Sequence, residues 1–216
     1  NLFFYFYDHS FHTSLPNRYY VFLTCITSLT LFFFIDDIKS IDPILRLIVQ
    51  VILIYLSITA LDLNALNLPT KISILFAVII WIYLMNIINF ADGSDGLLVT
   101  SMFFYWTFIL IITNLFDIEL FSKYISILII PVILTFFYFN KPIASVYMGD
   151  AGSIFFGFLT GYSFLELLIA GYWNIAVSLL IFPILDCTVC LIRKLIKGYM
   201  PWVGMYDYFF LIPVLR

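Results

Sequence analysis

Six aspartates provide the side chains best suited to chemistry in this sequence of 216 residues. They are Asp36, Asp37, Asp92, Asp95, Asp150 and Asp186. A carboxylate near hydrocarbon is costly, so it normally has a task or a partner there. Carboxylate oxygens are also the hard ligands that Mg²⁺ prefers, especially when the ion carries phosphates. The aspartates therefore predict a cation-dependent site for a phosphorylated substrate.

The segment NIINFADGSDG, residues 86–96, combines two asparagines with two of these aspartates. The asparagines are three residues apart, so they share one face of a helix that is ending. Two glycines then permit tight turns that a side chain would forbid, so both aspartates can converge on one ligand. The four candidate substrate-binding residues are Asn86, Asn89, Asp92 and Asp95.

The segment YMGDAGS, residues 147–153, leads into another helix, which we expect to begin at its last two residues. Asp150 then lies just before that helix, where free amides and the helix dipole favour an anion such as phosphate. Asp36 and Asp37 are adjacent, so on a regular helix their side chains point about 100° apart. We therefore expect these two aspartates to have different tasks, or to lie where their helix unwinds.

Seven apolar segments must position these side chains. Hydrophobic residues make up 64% of the sequence and charged residues only 11%, too few for the surface of a soluble domain. Each segment is long enough to cross a bilayer as a helix. The predicted spans are 19–35, 45–61, 72–89, 97–115, 124–139, 153–170 and 174–192. The expected fold class is thus all-α, a polytopic transmembrane helical bundle that forms a single domain over 1–216.

The basic residues predict which side of the membrane carries the aspartates. Six of them flank one side of the spans: Lys39, Arg46, Lys141, Arg193, Lys194 and Lys197. Three flank the other side: Arg18, Lys71 and Lys123. The positive-inside rule places the richer side in the cytoplasm. The five aspartates of the connecting loops lie on that richer side, which predicts one cytoplasmic site.

Four segments resemble, in order, the signatures of the polyprenyl-phosphate N-acetylhexosamine-1-phosphate transferase superfamily, glycosyltransferase family 4. They are FIDDIKSIDPILRLIVQ (34–50), NIINFADGSDGLL (86–98), YMGDAGSIFFGFLTG (147–161) and FPILDCTVCLIRKLIKG (182–198). Two further patterns look closer to the undecaprenyl-phosphate N-acetylglucosaminyl-1-phosphate transferase branch than to phospho-N-acetylmuramoyl-pentapeptide transferase. These patterns are the Arg46–Gln50 spacing and the combination of Pro183, Asp186 and Arg193.

The resemblance implies an enzyme that moves a sugar 1-phosphate of N-acetylhexosamine type from a UDP-sugar to undecaprenyl or another polyprenyl phosphate. UMP would be released, and the product would serve cell-wall or surface polysaccharide synthesis in a bacterial inner membrane. By this resemblance Asp150 ligates Mg²⁺, or alternatively Mn²⁺, on the donor's diphosphate. Asp36 and Asp37 would accept the acceptor's proton or position its phosphate, which requires little base strength.

The other candidates are expected to bind substrates. By resemblance, uridine and ribose bind to Asn89, Asp92 and Asp95, and uracil stacks on Tyr147. The candidate counter-charges for phosphate, for which membrane anchoring is the alternative, are Lys39, Arg46 and Arg193.

Asp186 lies deep in the last predicted span. Pro183, one turn earlier, removes a backbone donor and frees the carbonyl of Leu179, so we expect irregular backbone there. We assign Asp186 to the site, with simple pairing to Arg193 as the alternative.

Two loops that are typical of the family are missing from this sequence. One is a nucleotide-binding loop rich in Pro and Gly that precedes the paired aspartates, and the other is a histidine-rich loop after the last motif. The segment VGMYDYFFL, 203–211, contains no histidine. The catalytic motifs thus occupy 34–198, with both ends expected to be truncated or divergent. We assign no span to 202–216 and no role to His9 and His12.

Three alternatives stay open: an inactive paralogue of the family, a CDP-alcohol phosphatidyltransferase and a membrane transporter. The phosphatidyltransferase motif continues with Ala-Arg and further aspartates, whereas LLVTSMFFYW follows Asp95-Gly96 here. A transporter would hold ionisable residues near the middle of the membrane, and only Asp186 lies so deep. The net charge of −3 gives no support for nucleic acid as a partner, and none is expected. The lipid bilayer is the expected surrounding, and a homodimer is allowed.

Overall fold

A computed structural model describes residues 17–198 except 67 and 94, together with the side chains from 19 onward. The α-helices in this range are α1 (Asn17–Ile38), α2 (Pro43–Ser57), α3 (Thr70–Phe90), α4 (Leu97–Leu115), α5 (Phe121–Asn140), α6 (Gly149–Ile169) and α7 (Trp173–Ile196). Two short 3₁₀ turns, Ile58–Ala60 and Leu63–Leu66, join α2 to α3. The described residues contain no β-strand, so the predicted all-α class is confirmed. His9, His12 and the segment 202–216 lie outside the described residues.

All seven of these helices are long and apolar enough to cross a membrane, and each corresponds to one predicted span. The chain is therefore a multi-pass membrane protein. The helices extend beyond the predicted spans mainly where charged or small residues follow the apolar stretch. For example, α1 continues through Asp36 and Asp37 to Ile38, and α6 begins at Gly149 rather than at 153. A hydropathy pattern predicts that a span ends at the first charged residues, whereas the backbone hydrogen bonds of the helix continue past them.

The helix ends meet at two opposite faces of the bundle. We call one of them the motif face: there α1, α3 and α5 end and α2, α4 and α6 begin, at residues 36–46, 86–97 and 140–153. Ion pairs and hydrogen bonds join these three segments, as described below. The three segments contain all the loop aspartates of the motifs. The fold therefore brings together at one face aspartates that are more than 100 positions apart in the sequence.

Helix α6 lies at the centre of the bundle, since 72% of its span is buried and none of the other six described spans exceeds 39%. Small residues recur every four positions along α6 and allow α3 to approach closely. A Cβ atom on Gly157 would lie 2.7 Å from the carbonyl oxygen of Met85, and one on Gly161 would lie 2.3 Å from Trp81. Trp81 also donates its indole N–H to the carbonyl of Phe158 at 2.9 Å. This stripe therefore serves helix packing.

Glu166 connects α6 to the start of α5 at the face opposite the motif face. Its carboxylate accepts hydrogen bonds from the backbone N–H groups of Phe121 at 2.7 Å and Ser122 at 2.9 Å. The hydroxyl groups of Ser122 and Tyr162 donate to the same carboxylate. Amides at a helix start lack partners within the helix, so Glu166 caps α5 from a neighbouring helix. This carboxylate has a structural task, and sequence reasoning did not identify it.

Candidate active site

Arg46, in the first turn of α2, joins two aspartates at the motif face. Its Nη1 atom lies 3.0 Å from Asp36 Oδ2 and 3.0 Å from Asp150 Oδ2. Its Nε–H donates to the carbonyl of Ile41 at 3.0 Å. Only 1% of the Asp36 side chain is exposed, and its second oxygen accepts the backbone N–H of Ile41 at 2.7 Å. A buried charge needs such partners. Asp36, on α1, therefore pairs with Arg46 from the interior of the protein, and Asp150 pairs with it from α6.

Asp37 contacts the backbone of α6 instead of Arg46. Its two carboxylate oxygens accept the N–H groups of Asp150 at 2.9 Å and Ala151 at 3.0 Å. Helix α1 stays regular to Ile38, so the adjacent aspartates point apart and reach different partners, as their angular separation predicts. The alternative expectation, an unwound end of α1, is wrong.

Asp150 lies within the first turn of α6, so the prediction that it precedes this helix is wrong. The helix begins at Gly149, whose φ of 68° lets the chain turn sharply into it. The carboxylate of Asp37 then binds the first free amides, which allows the helix to start earlier than the apolar pattern indicates. One third of the Asp150 side chain, 33%, is exposed, so it can contact both Arg46 and a ligand.

Polar side chains from α2, α3 and α6 line a cavity of about 590 Å³. They are Arg46, Gln50, Asn86, Asn89 and Asp150. The remaining wall is largely apolar and comes from α1, α2, α3 and α7, including Phe33, Leu47, Ile79, Phe90 and Leu191. The expectation that the two asparagines share a face is confirmed. The cavity thus combines one charged and amide-bearing region with a long apolar surface.

Both asparagines are held by neighbouring side chains. Asn86 donates its amide to Gln50 Oε1 at 3.2 Å, and Asn89 accepts the Ser153 hydroxyl at 2.5 Å. Gln50 was not among the predicted site residues, although its position four residues after Arg46 places both on one face of α2. These bonds fix the asparagine side chains against α2 and α6.

Asp95 fastens the loop between α5 and α6. Its Oδ2 atom accepts the backbone N–H of Ala144 at 3.0 Å. Next to it, the buried Asn140 accepts the N–H of Gly96 at 3.1 Å and donates to the carbonyl of Val146 at 3.0 Å. Asn140 was also missed by sequence reasoning, because nothing near it in the sequence marks it as a loop anchor. The uridine-binding role of Asp95 stays a prediction.

Asp92 has different surroundings from Asp95. It is half-buried in the turn after α3, and burial raises its pKa to about 7, helped by the negative charges of Asp150 and Asp37. Asp92 therefore belongs to the same electrostatic cluster as the carboxylates next to Arg46. Its predicted role in binding uridine and ribose stays a prediction.

Three further candidates lie at the motif face with exposed side chains: Lys39, Tyr147 and Arg193. Tyr147, 72% exposed, comes just before α6 and is open to a stacking partner. The predicted roles of these three residues in binding phosphate or uracil stay predictions.

Asp186 is buried inside α7 and lines a different cavity, of about 360 Å³, between α3, α4 and α7. Helix α7 runs without interruption from Trp173 to Ile196, so the irregular backbone expected at Pro183 is wrong. Proline is tolerated in a membrane helix when neighbouring groups satisfy the freed carbonyl. The structure does not bring Asp186 to the cavity of Asp150, and its site role stays a prediction.

The carboxylates can be compared with the needs of a metal ion. Among the described residues, no group of three or more His, Cys, Asp or Glu is arranged to hold a metal alone. However, Mg²⁺ commonly uses one or two carboxylates and takes its other ligands from water and substrate phosphates. Asp36 and Asp150 both pair with Nη1 of Arg46, and Asp36 is buried, so of these two carboxylates Asp150 is the one open to a ligand.

Comparisons with known proteins agree on one family. The model of the family described as "Glycosyl transferase family 4" matches residues 19–168. Two curated relatives, from Wolbachia sp. subsp. Drosophila simulans (strain wRi) and Wolbachia pipientis wMel, are named phospho-N-acetylmuramoyl-pentapeptide-transferase. Each is 28% identical over 158 residues, which covers 62% of this chain and 48% of the relative. The chain thus spans about half the length of these relatives. Both bear the name of the branch predicted to be more distant, so the choice of branch stays a prediction.

Proposed function

The chain belongs to glycosyl transferase family 4, and we propose that the whole protein transfers a sugar 1-phosphate from a UDP-sugar to a polyprenyl phosphate. The sugar would be of N-acetylhexosamine type, the acceptor undecaprenyl phosphate or a similar lipid, and the leaving product UMP. One observation carries this proposal: Arg46 bridges Asp36 and Asp150 at the polar end of a cavity whose other walls are apolar.

The shape of the cavity supports a lipid phosphate as the acceptor. Arg46 and Asn89 lie at the motif face, whereas Ile79 lines the same cavity ten residues deeper along α3. A phosphate at Arg46 would place its hydrocarbon chain along the apolar wall. Guanidinium groups bind phosphate oxygens with charge-assisted hydrogen bonds. A water-soluble acceptor would leave this apolar surface without a partner.

The carboxylates support a divalent cation, which we propose to be Mg²⁺, with Mn²⁺ as the alternative. Asp150 would hold it together with phosphate oxygens of the donor. When bound, the ion would neutralise charge on the donor's diphosphate, which the aspartates alone would repel. Asp37, Asp92 and Asp150 lie close enough for their charges to interact, while Arg46 is the cation paired with Asp150. This excess of negative charge favours an added cation.

The reaction would form one phosphorus–oxygen bond and break another. An oxygen of the lipid phosphate attacks the β-phosphorus of the UDP-sugar, and the bond to UMP breaks on the opposite side. The lipid phosphate, with a second pKa near 6, is already largely deprotonated at neutral pH, so a weak base suffices. Arg46 would orient the attacking phosphate, and Asp36 would keep Arg46 in place.

We further propose that the motif face lies in the cytoplasm of a bacterial cell, at the plasma membrane. The excess of basic residues at this face supports that orientation. The Wolbachia relatives support a bacterial setting. The partners would then be the UDP-sugar, the polyprenyl phosphate and the bilayer, with a homodimer as one allowed assembly.

The test is transfer by the full-length protein in detergent, with UDP-N-acetylglucosamine and undecaprenyl phosphate as substrates. A second donor, UDP-N-acetylmuramoyl-pentapeptide, is included because the relatives carry that name. We expect a polyprenyl diphosphate sugar and an equal amount of UMP with one of these donors. If folded protein yields no lipid product with either donor, the proposed transfer from these donors is contradicted.

A further inference from the structure

We infer that Asp37 is a positioning residue that fixes Asp150 by capping α6, and that it does not accept a proton in the reaction. The inference rests on the proposed function for its effect on turnover. The cap itself is independent of that function and can be measured separately.

The contact between Asp37 and α6 uses both oxygens of one carboxylate. They accept the N–H groups of Asp150 at 2.9 Å and Ala151 at 3.0 Å. Amides in the first turn of a helix have no acceptor within that helix, and a negative charge there also interacts favourably with the helix dipole. The residue that supplies this cap is 113 positions away in the sequence and lies on α1. Asp37 thereby ties the end of one membrane helix to the start of another.

The close approach of α1 to α6 depends on Gly149. This residue has a φ of 68°, and a Cβ atom built on it would lie 2.7 Å from Asp37 Oδ2. Any other residue would therefore strain the backbone and push the carboxylate away. Because Gly149 directly precedes Asp150, the contact sets the backbone position from which the Asp150 side chain extends.

The last turn of α1 thus fixes both partners of one ion pair. Asp36 holds the guanidinium of Arg46 at 3.0 Å, and the neighbouring Asp37 holds the backbone of Asp150 at 2.9 Å. The two partners then meet at 3.0 Å. Asp36 and Asp37 are adjacent on a regular helix, so α1 acts as a rigid spacer between α2 and α6.

The geometry of Asp37 favours positioning over proton transfer. Both of its carboxylate oxygens accept backbone N–H groups at the start of α6, at 2.9 Å and 3.0 Å. In addition, Asp37 is absent from the side chains that line the 590 Å³ cavity, whereas Arg46 and Asp150 are among them. Both observations favour a positioning role.

The test compares Asp37→Asn with Asp37→Ala in the full-length protein. Asparagine keeps the shape and one acceptor oxygen, while alanine removes the cap. We expect Asp37→Ala to speed hydrogen exchange at the amides of Asp150 and Ala151 by about ten-fold. It should lower kcat by about 10- to 100-fold, because a small displacement of Asp150 is enough to slow the reaction. Asp37→Asn keeps one acceptor oxygen but loses the other and the charge, so its exchange rate and kcat should lie between those of the native protein and Asp37→Ala, with kcat about three- to ten-fold below native and the native pH profile kept.

Two further variants make this test sharper. Asp42→Ala is the matched control, since Asp42 caps α2 through the N–H of Ile44 at 2.8 Å and does not contact α6. It should leave exchange at the start of α6 unchanged. Gly149→Ala should lower kcat as Asp37→Ala does, and the double variant should be little worse than either single variant. Fully additive losses would contradict a shared contact.

The inference is overturned if Asp37→Asn is as inactive as Asp37→Ala, has lost the acidic limb of the pH profile, and shows native exchange at Asp150 and Ala151. Asp37 would then act through its charge on a proton. If the native protein transfers no sugar phosphate, the proposed function fails, and hydrogen exchange alone then tests whether Asp37 caps α6. Equal exchange rates at Asp150 and Ala151 in the native protein and in Asp37→Ala would refute the cap.

Discussion

Nη1 of Arg46 lies 3.0 Å from Oδ2 of Asp150, although 104 residues separate the two in the sequence. The pair joins the start of α2 to the start of α6 and brings the first family motif to the third. Both side chains also line the same cavity. The candidate site is therefore assembled by helix packing, and one guanidinium group pairs with two of its carboxylates.

Replacing Arg46 by Gln should destabilise the protein as well as inactivate it. The carboxylate of Asp36 is almost completely buried and would lose its cation. Breaking a buried pair costs about 3–5 kcal/mol, and the partial exposure of Arg46 reduces this to about 2 kcal/mol. We expect a Tm lower by on the order of 5 °C in detergent. Lys141→Gln is the control, since Lys141 lies over the ring of Tyr138 at the surface and should change Tm little. Equal Tm values for both variants would contradict the paired arrangement.

The stability of the protein should depend on pH through Asp92. Its pKa is about 7 in the folded protein and about 4 when unfolded, so the folded state binds the proton more tightly. The native protein therefore loses stability as the pH rises from about 4 to 7, and Asp92→Asn removes this loss. We expect Asp92→Asn to have a higher Tm than the native protein at pH 8. The difference in Tm should be smaller at pH 5. A difference that is the same at both pH values would show that Asp92 titrates normally.

The orientation in the membrane can be tested with single cysteines in a cysteine-free background. Ser145 lies in the loop between α5 and α6 at the motif face, and Asn174 lies at the start of α7 on the opposite face. Both side chains are exposed. We expect a membrane-impermeant thiol reagent to label Asn174→Cys from outside intact cells, and to label Ser145→Cys only after the cells are opened. The reverse pattern would place the motif face outside the cytoplasm.

The spans and their order could be predicted because they depend on local composition. Seven apolar segments in a chain of 64% hydrophobic residues leave few other folds. The different contacts of Asp36 and Asp37 also follow from a local rule, the angle between neighbours on a helix. The same local reasoning identified the shared face of Asn86 and Asn89. Each of these predictions depended on the geometry of a single helix.

Features that depend on two helices could not be predicted. The early start of α6 requires the positive φ of Gly149 and a carboxylate from α1, and neither is visible in hydropathy. The caps made by Glu166 and Asn140 likewise join segments that are far apart in the sequence. Pro183 was expected to disrupt α7, but the helix continues through it. Tertiary contacts decided the start of α6 and the two caps.

The most direct measurement is the rate of sugar phosphate transfer by full-length Asp150→Asn, in parallel with the native protein in Mg²⁺ and in excess EDTA. Asparagine keeps the size of the side chain but removes the charge that would hold the cation. Rates are divided by the amount of folded, detergent-solubilised protein. Asp42→Asn is the matched control, because Asp42 is an exposed carboxylate at the same face that contacts only the start of α2, and asparagine caps a helix equally well.

We predict that EDTA abolishes transfer, that Asp150→Asn loses nearly all turnover while it folds normally, and that Asp42→Asn transfers at the native rate. If folded Asp150→Asn transfers sugar phosphate at the native rate, Asp150 does not hold the cation and the proposed mechanism is wrong.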